Sequence, residues 1–352
     1  MQSLRAARPE IEFVGRGGPS MAAIAGGNFR DWNEDSAVLG LWEVLKHYGY
    51  FREQFSATME EIRREKPNAV VLIDYPGFNL RLARALRSRK FSGLGGKIIY
   101  YISPQVWAWN RRRIPQMARS LDLMLCIFPF EAELYNKSGL RTIFVGHPMM
   151  ESLDARRVAA TREPNLIGLF PGSRLREVRK ILPVLLQTAA FILARKPDAQ
   201  FEIAAANSSL AAEIALSLPN ERFRLTSGQA SLLMQRAAVG IVASGTATLE
   251  AAYFRMPFVL VYRVAWLTYL AARLVLKVKH LGMPNVLANR EIVPEFIQAK
   301  AKAESMGAAV LQLMNDRAQR EQMIAEFDRV IAKLGPGGAS EKAARAILDE
   351  IA

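Results

Sequence analysis

Short apolar runs recur along this chain with room for one helix between each pair, and no other feature restricts its fold as strongly. Residues 69–75, 97–102, 121–128 and 142–145 read as near-continuous apolar strands, separated by helical segments such as 80–89 and 129–137. Strands apolar on both faces need cover on both faces, which a helix after each strand supplies. The pattern predicts a parallel, doubly wound sheet. Composition then shifts to charged and small residues over 151–164, and the alternation restarts at 166–170, 201–205, 223–225, 239–242 and 258–262. The expected organisation is α/β: two doubly wound Rossmann-like domains facing across a cleft, over residues 1–160 and 161–325. C-terminal helices over 326–352 are expected to pack back on the first domain. Those helices belong to the runs 299–334 and 340–351, parted by the breaker at 335–338.

With 352 residues, two domains are expected, each able to bury a core without staples. The single cysteine, Cys126, excludes a disulfide within the chain and fits a reducing compartment. The first residues, MQSLRAARPE, are charged and lack the apolar core of a secretory signal. The most apolar region, 256–278, is interrupted by Arg263, Arg273 and Lys277, so no span of the ~18 apolar residues a membrane helix needs is present. A soluble or peripheral protein is expected. The net charge of +14 points to an anionic partner: nucleic acid, an acidic membrane surface or phosphorylated substrates. The basic residues are scattered and no recognition motif for nucleic acid is present.

Residues 1–8 read as the end of an amphipathic helix, running into a strand-like stretch at 11–19, as though a first strand and loop were missing. Over 36–66 the pattern is helical, with Val38, Leu41, Trp42, Leu45 and Tyr48 on one face. Val44, Tyr50 and Phe51 widen that face. It fits a buried core helix or an apolar patch that dips into a bilayer.

In open parallel sheets ligands bind beyond the carboxyl ends of strands, so the loops after each strand carry the candidates. In 239–263, VGIVASGTATLEAAYFRMPFVLVYR, Ser244, Gly245 and Thr246 form a turn that suits an anion or a sugar hydroxyl. Glu250, a helical turn later, stands where a carboxylate accepts hydrogen bonds from a ribose diol. An ordinary connection with capping hydroxyls fits the same residues. In IDYPGFN, Asp74 closes a strand and is a candidate general base, with a turn or cap role as the alternative. In YISPQVWAWNRRR, Trp107 and Trp109 precede three arginines, a mixture suited to stacking a sugar ring or a base beside a phosphate. In LFPGSRLREV, Gly172-Ser173 precedes a helix start with Arg174, a geometry for a phosphate. It matches neither the P-loop nor the dinucleotide fingerprint. HLGMPNVLANREIVPEFIQ, 280–298, reads as a loop and short helix at a cleft. His47, His147 and His280 share no helical spacing, so no metal site is expected, and no GxSxG nucleophile is present.

Taken in order, IDYPGFN, YYISPQVWAWNRRR, CIFPFE, FVGHP, FPGSR, ASGTATLE and MPNVLANREIVPEFIQ resemble the lipid-A-disaccharide synthases, inverting glycosyltransferases of GT-B architecture. A sugar-nucleotide epimerase or another GT-B transferase shares the architecture but not the first and last of these motifs. The resemblance implies that UDP-2,3-diacylglucosamine is joined to 2,3-diacylglucosamine 1-phosphate with release of UDP, without a cofactor. Asp74 would be the base and Arg174 would stabilise the departing diphosphate. Gly172, Ser173, Ser244, Gly245, Thr246, Glu250 and Asn285 would hold the nucleotide sugar. Asn79, Trp107 and Arg111 would line the acceptor side, and Val38, Leu41, Trp42 and Leu45 would touch an anionic inner-membrane surface from the cytoplasm. A homodimer is kept open as a further partner, and nucleic acid is not expected as one. Two departures stand out. The family begins with a strand and a Gly-Glu-Ala-Ser-Gly-Asp loop that this chain starts after, and Glu151 stands where the family has Asp. A true start upstream is therefore expected, with this chain unstable or poorly active, or restricted to binding UDP or lipid.

Overall fold

The computed structural model describes residues 1–27, 29–31, 48–88, 96–219, 222–265 and 279–352. Val38, Leu41, Trp42 and Leu45 lie outside the described residues, and so does the expectation of an apolar face built on them.

The chain forms two compact units, Met1–Pro148 with Gly335–Ala352, and Met149–Leu334. The chain crosses at 148/149 and 334/335, where the sequence pattern suggested 160/161 and 325/326. Local packing explains both positions. In the short helix Met149–Asp154, Asp154 accepts a hydrogen bond from Tyr253 of the second unit. Near the other crossing, the helix Arg317–Ala332 stays with the second unit because Phe327 stacks on Phe258 at 5.5 Å, both fully buried.

In the first unit, strands β1 (Gly15–Gly17) and β2 (Phe29–Asp31) form a short parallel pair. A second sheet, also parallel, has the order β3-β4-β5-β6, from β3 (Ala69–Ile73), β4 (Lys97–Tyr101), β5 (Leu123–Cys126) and β6 (Thr142–Phe144). Every residue of β5 is buried, which explains why its sequence shows no polar alternation. At the sheet edge, β3 buries only Leu72 fully and leaves Ile73 exposed. The last helix, Ala339–Ile351, lays Ala343, Ala344 and Ile347 on Leu4, Ile99, Leu123 and Val145. Its Glu350 takes the Lys97 ammonium at 3.0 Å and the Arg141 guanidinium.

In the second unit, β7 (Glu163–Phe170), β8 (Gln200–Ala205), β9 (Phe223–Ser227), β10 (Ala237–Ala243), β11 (Phe258–Tyr262) and β12 (Glu295–Ile297) are parallel in the order β12-β11-β10-β7-β8-β9. The chain winds outward from β7 to β9, then returns to the other side of β7 and winds outward again from β10. The switch point lies between β7 and β10, which pair with Ile241 opposite Leu169 and Val242 opposite Phe170. Two elements differ from expectation. The segment read as loop and short helix also supplies the edge strand β12. The long helical run is broken at Asp316, whose side chain accepts from the Gln319 amide and starts a new helix. No helix among the described residues is long and apolar enough to cross a membrane.

Candidate active site

The switch point brings together two loops that are far apart in sequence. Paired strands run ~4.8 Å apart, so the residues after Phe170 and after Val242 emerge side by side. On one side, Gly172 adopts φ +114°, and an added Cβ would stand 2.7 Å from a carboxylate oxygen of Glu177. Only glycine lets the loop fold over that side chain. Arg174 occupies the N-cap of the helix Leu175–Leu193, with its guanidinium 3.1 Å from Glu177 and largely exposed. Ser173 immediately precedes this N-cap residue.

On the other side, the Ser244 amide donates to the Val261 carbonyl at 3.0 Å, and Gly245 adopts φ +145° with open space where a Cβ would stand. The Thr248 hydroxyl donates to the Gly245 carbonyl at 2.8 Å, which orients that peptide. Glu250, inside the helix Ala247–Tyr253, is half-buried; burial raises its pKa and the Arg156 charge opposes the rise. A glycine turn, a forked cation and a partly desolvated carboxylate thus converge on one edge of one sheet, the set a nucleoside diphosphate needs.

Asn285 has a different place from the one expected. It is fully buried, its amide nitrogen donates to the Val293 carbonyl at 2.8 Å and to Glu295 at 2.9 Å, and its amide oxygen accepts from the Ile292 and Val293 amides at 2.8 and 2.9 Å. With its amide occupied by the protein, it holds the 280–297 segment instead of reaching out of it. Glu295 completes the hub by accepting from the Leu281 and Gly282 amides at 3.0 and 2.9 Å.

In the first unit, the candidate base sits on a strained turn. Asp74 and Tyr75 both adopt left-handed backbone, φ 46° and 47°, and so does the β-branched Ile102 at the end of β4, φ 64°. Each costs about 1–3 kcal/mol unless the surroundings over-determine it. Here they do: the Asn79 amide donates to the Ile73 and Asp74 carbonyls at 3.1 and 2.7 Å, and the Tyr100 hydroxyl donates to the Asp74 carbonyl at 2.5 Å. Asn79, expected on the acceptor side, therefore clamps the turn that presents the exposed Asp74 carboxylate.

Trp107 is likewise not a free stacking surface. It is 6 % exposed, donates from its indole nitrogen to Glu131 at 2.8 Å and meets the Phe130 ring edge-on at 4.9 Å. Trp109 keeps partial exposure with the Arg113 guanidinium over its ring, and Arg111 is exposed while donating to the Trp107 carbonyl at 3.3 Å.

The organiser of this loop is Glu131, which sequence reasoning passed over. Fully buried, it accepts from the Ser103 hydroxyl at 2.6 Å, from Trp107 and from the Phe128 amide at 3.2 Å. A signal was legible: a glutamate at the third position of a helix beginning Pro129-Phe130, where it can reach back to the N-cap amide. Burial pushes its pKa up to about 7, against hydrogen bonds that favour the anion. Nearby His147 is pushed down to about 4 by burial.

The raised Glu131 pKa has a measurable consequence. The folded chain keeps this proton where the unfolded chain, with a value near 4.5, has released it. Its contribution to stability is therefore greatest below pH 4.5 and is lost as pH rises through about 7. The amplitude is about 3 kcal/mol. Urea midpoints across this interval are expected to lose that slope in Glu131→Gln. An unchanged slope would assign it to another group.

Two larger all-parallel sheets flanked by helices, the second with its switch point between β7 and β10, define the GT-B class of fold. The family model described as "Lipid-A-disaccharide synthetase" matches residues 1–348. The lipid-A-disaccharide synthase of Geobacter sulfurreducens is 37 % identical over 351 residues, 97 % of this chain and 90 % of that one. Among solved structures, the S. aureus MnaA-UDP co-structure superposes with TM-score 0.61 at 12 % identity, covering 97 % of this chain and 88 % of that one. The calicheamicin glycosyltransferase superposes with TM-score 0.59 at 15 % identity, covering 99 % and 94 %. These two likenesses concern the fold alone. The chain belongs to the lipid-A-disaccharide synthetase family.

Proposed function

We propose that this chain joins UDP-2,3-diacylglucosamine to 2,3-diacylglucosamine 1-phosphate, releasing UDP and a lipid A disaccharide 1-phosphate. The observation that supports it most is the convergence of Gly172–Arg174 with Ser244–Thr246 at the switch point of the second sheet, in a chain of this family. In this reading Asp74 takes the proton of the acceptor 6-hydroxyl while that oxygen attacks the anomeric carbon from the face opposite UDP. The bond from that carbon to the diphosphate breaks, and its electron pair leaves with UDP. One displacement inverts the anomeric configuration.

Arg174 neutralises charge that grows on the diphosphate as the bond breaks, so it contributes more in the transition state than in the ground state. Ser244, Gly245 and Thr246 bind the phosphates, and Glu250 accepts from the ribose diol. Trp109 and Arg111 offer aromatic and cationic surface to the acceptor, while Asn79, Trp107 and Asn285 shape the loops. The chain works as a peripheral protein on the anionic inner-membrane surface, consistent with its +14 charge and the lipid character of both substrates.

Incubation with both lipids, with products read by mass spectrometry and NMR, tests the reading. UDP release strictly dependent on the acceptor, with an inverted linkage in the product, is expected. Conversion of the donor sugar to its epimer without an acceptor requirement would overturn it.

A further inference from the structure

The helices Pro76–Leu86 and Ile114–Ser120 of the first unit pack together, and beside them lies a small, solvent-open depression outside the site described above. Its lining includes three arginines, Arg81, Arg84 and Arg113, with Gln116 and Gly77. Arg81 and Arg84, three residues apart, share one helix face. Among the described residues none of the three is paired with a carboxylate, whereas Arg87, the C-cap residue of that helix, is bound to Asp122.

Two of the three guanidiniums are already held in place. The Arg84 Nε donates to the Leu80 carbonyl at 3.1 Å, and the Arg113 guanidinium lies 4.7 Å from the Trp109 ring centre. Like charges gathered in one concavity repel unless an anion lies among them. Forked guanidiniums match phosphate oxygens in pairs. At the rim, Pro76 and Gly77 begin an eleven-residue helix whose dipole favours negative charge, and the space above Gly77 is open.

We propose that this depression is a phosphomonoester site with Arg81, Arg84 and Arg113 as its ligands, and that it receives the phosphate of the glycosyl acceptor. Gly77 follows Asp74 by three residues, so their backbones stand within about 11 Å. The rim of the depression at Gly77 therefore lies close to the turn that presents the base. The acceptor assignment rests on the transferase reading. The phosphate chemistry does not, because a membrane lipid with a monoester headgroup offers the same dianion.

The test uses the full chain, the double variant Arg81→Ala/Arg84→Ala, the charge-keeping Arg81→Lys/Arg84→Lys, and Arg119→Ala as a control on the neighbouring helix. The readout is the ratio of kcat/KM for the acceptor 1-phosphate to that for the same acceptor without its phosphate. The alanine pair is expected to reduce this ratio by about 10²-fold, the lysine pair to keep part of it and the control to keep all of it. In parallel, sedimentation with phosphatidylcholine vesicles containing phosphatidic acid or phosphatidylglycerol compares a monoester with a diester headgroup. Loss of a phosphatidic acid preference in the alanine pair, with the acceptor ratio intact, would assign the site to a membrane lipid. If neither readout moves while the alanine pair remains folded by circular dichroism, the proposal is overturned. If the wild-type chain forms no disaccharide, the transferase reading fails and the vesicle measurement still decides the site.

Discussion

Asp74→Asn is expected to lower turnover by about 10²–10⁴-fold while leaving UDP affinity within about twofold. The substitution preserves size and leaves the backbone carbonyl of residue 74 in place, so the Asn79 and Tyr100 bonds that fix the turn persist. What disappears is the capacity to accept the acceptor's proton. Because Asp74 lies in the first unit and the proposed nucleotide loops lie in the second, donor binding and proton abstraction are separable by calorimetry with UDP against steady-state kinetics. An equal loss in both would remove Asp74 from the role of base. Tyr100→Phe and Asn79→Ala in the same assays distinguish the group from its presentation: each leaves the carboxylate, the first removing one hydrogen bond to the strained backbone and the second two.

Arg174→Ala is expected to lower kcat by about 10²–10³-fold, the range for loss of one donor aimed at charge developing in a transition state. Its effect on UDP affinity should be smaller. Arg174→Lys keeps a charge but loses the fork and should recover only part of the rate. The guanidinium is paired with Glu177 at 3.1 Å, an exposed contact of little stabilising value. The side chain can therefore exchange Glu177 for a diphosphate at small cost. If Arg174→Ala lost UDP affinity and turnover in equal proportion, the arginine would be a ground-state ligand only.

Much of this protein was legible in its residues, for identifiable reasons. Near-continuous apolar runs separated by helices admit few alternatives to parallel sheets, and each strand expected from those runs is present. The Gly172 and Gly245 turns were readable because positive φ leaves a glycine in the sequence. Hydrogen-bond saturation leaves no such mark. Asn285, Asn79 and Trp107 all stand in motif-bearing stretches, and in the fold each donates its side-chain N–H groups to the protein itself. Glu131 is the reverse case: its helix N3 position is legible in the residues, but the Ser103 and Trp107 donors that make it the organiser of the loop lie more than twenty residues away. The Asp316 break went unseen because one capping aspartate inside a long helical pattern resembles a surface acid.

By itself the sequence determined the α/β class, the strands of the two larger parallel sheets and, through seven ordered motifs, the family. It could do so because periodicity and turn chemistry act over a few residues and are written locally. Only the tertiary structure decided that β10 returns beside β7, which joins loops about seventy residues apart at one sheet edge. It also decided which polar side chains are already occupied, and that Arg81, Arg84 and Arg113 share a depression without a carboxylate partner among the described residues. Those outcomes depend on contacts between segments remote in the chain, where burial and the competition for hydrogen-bond partners select among roles that the same residue could equally play.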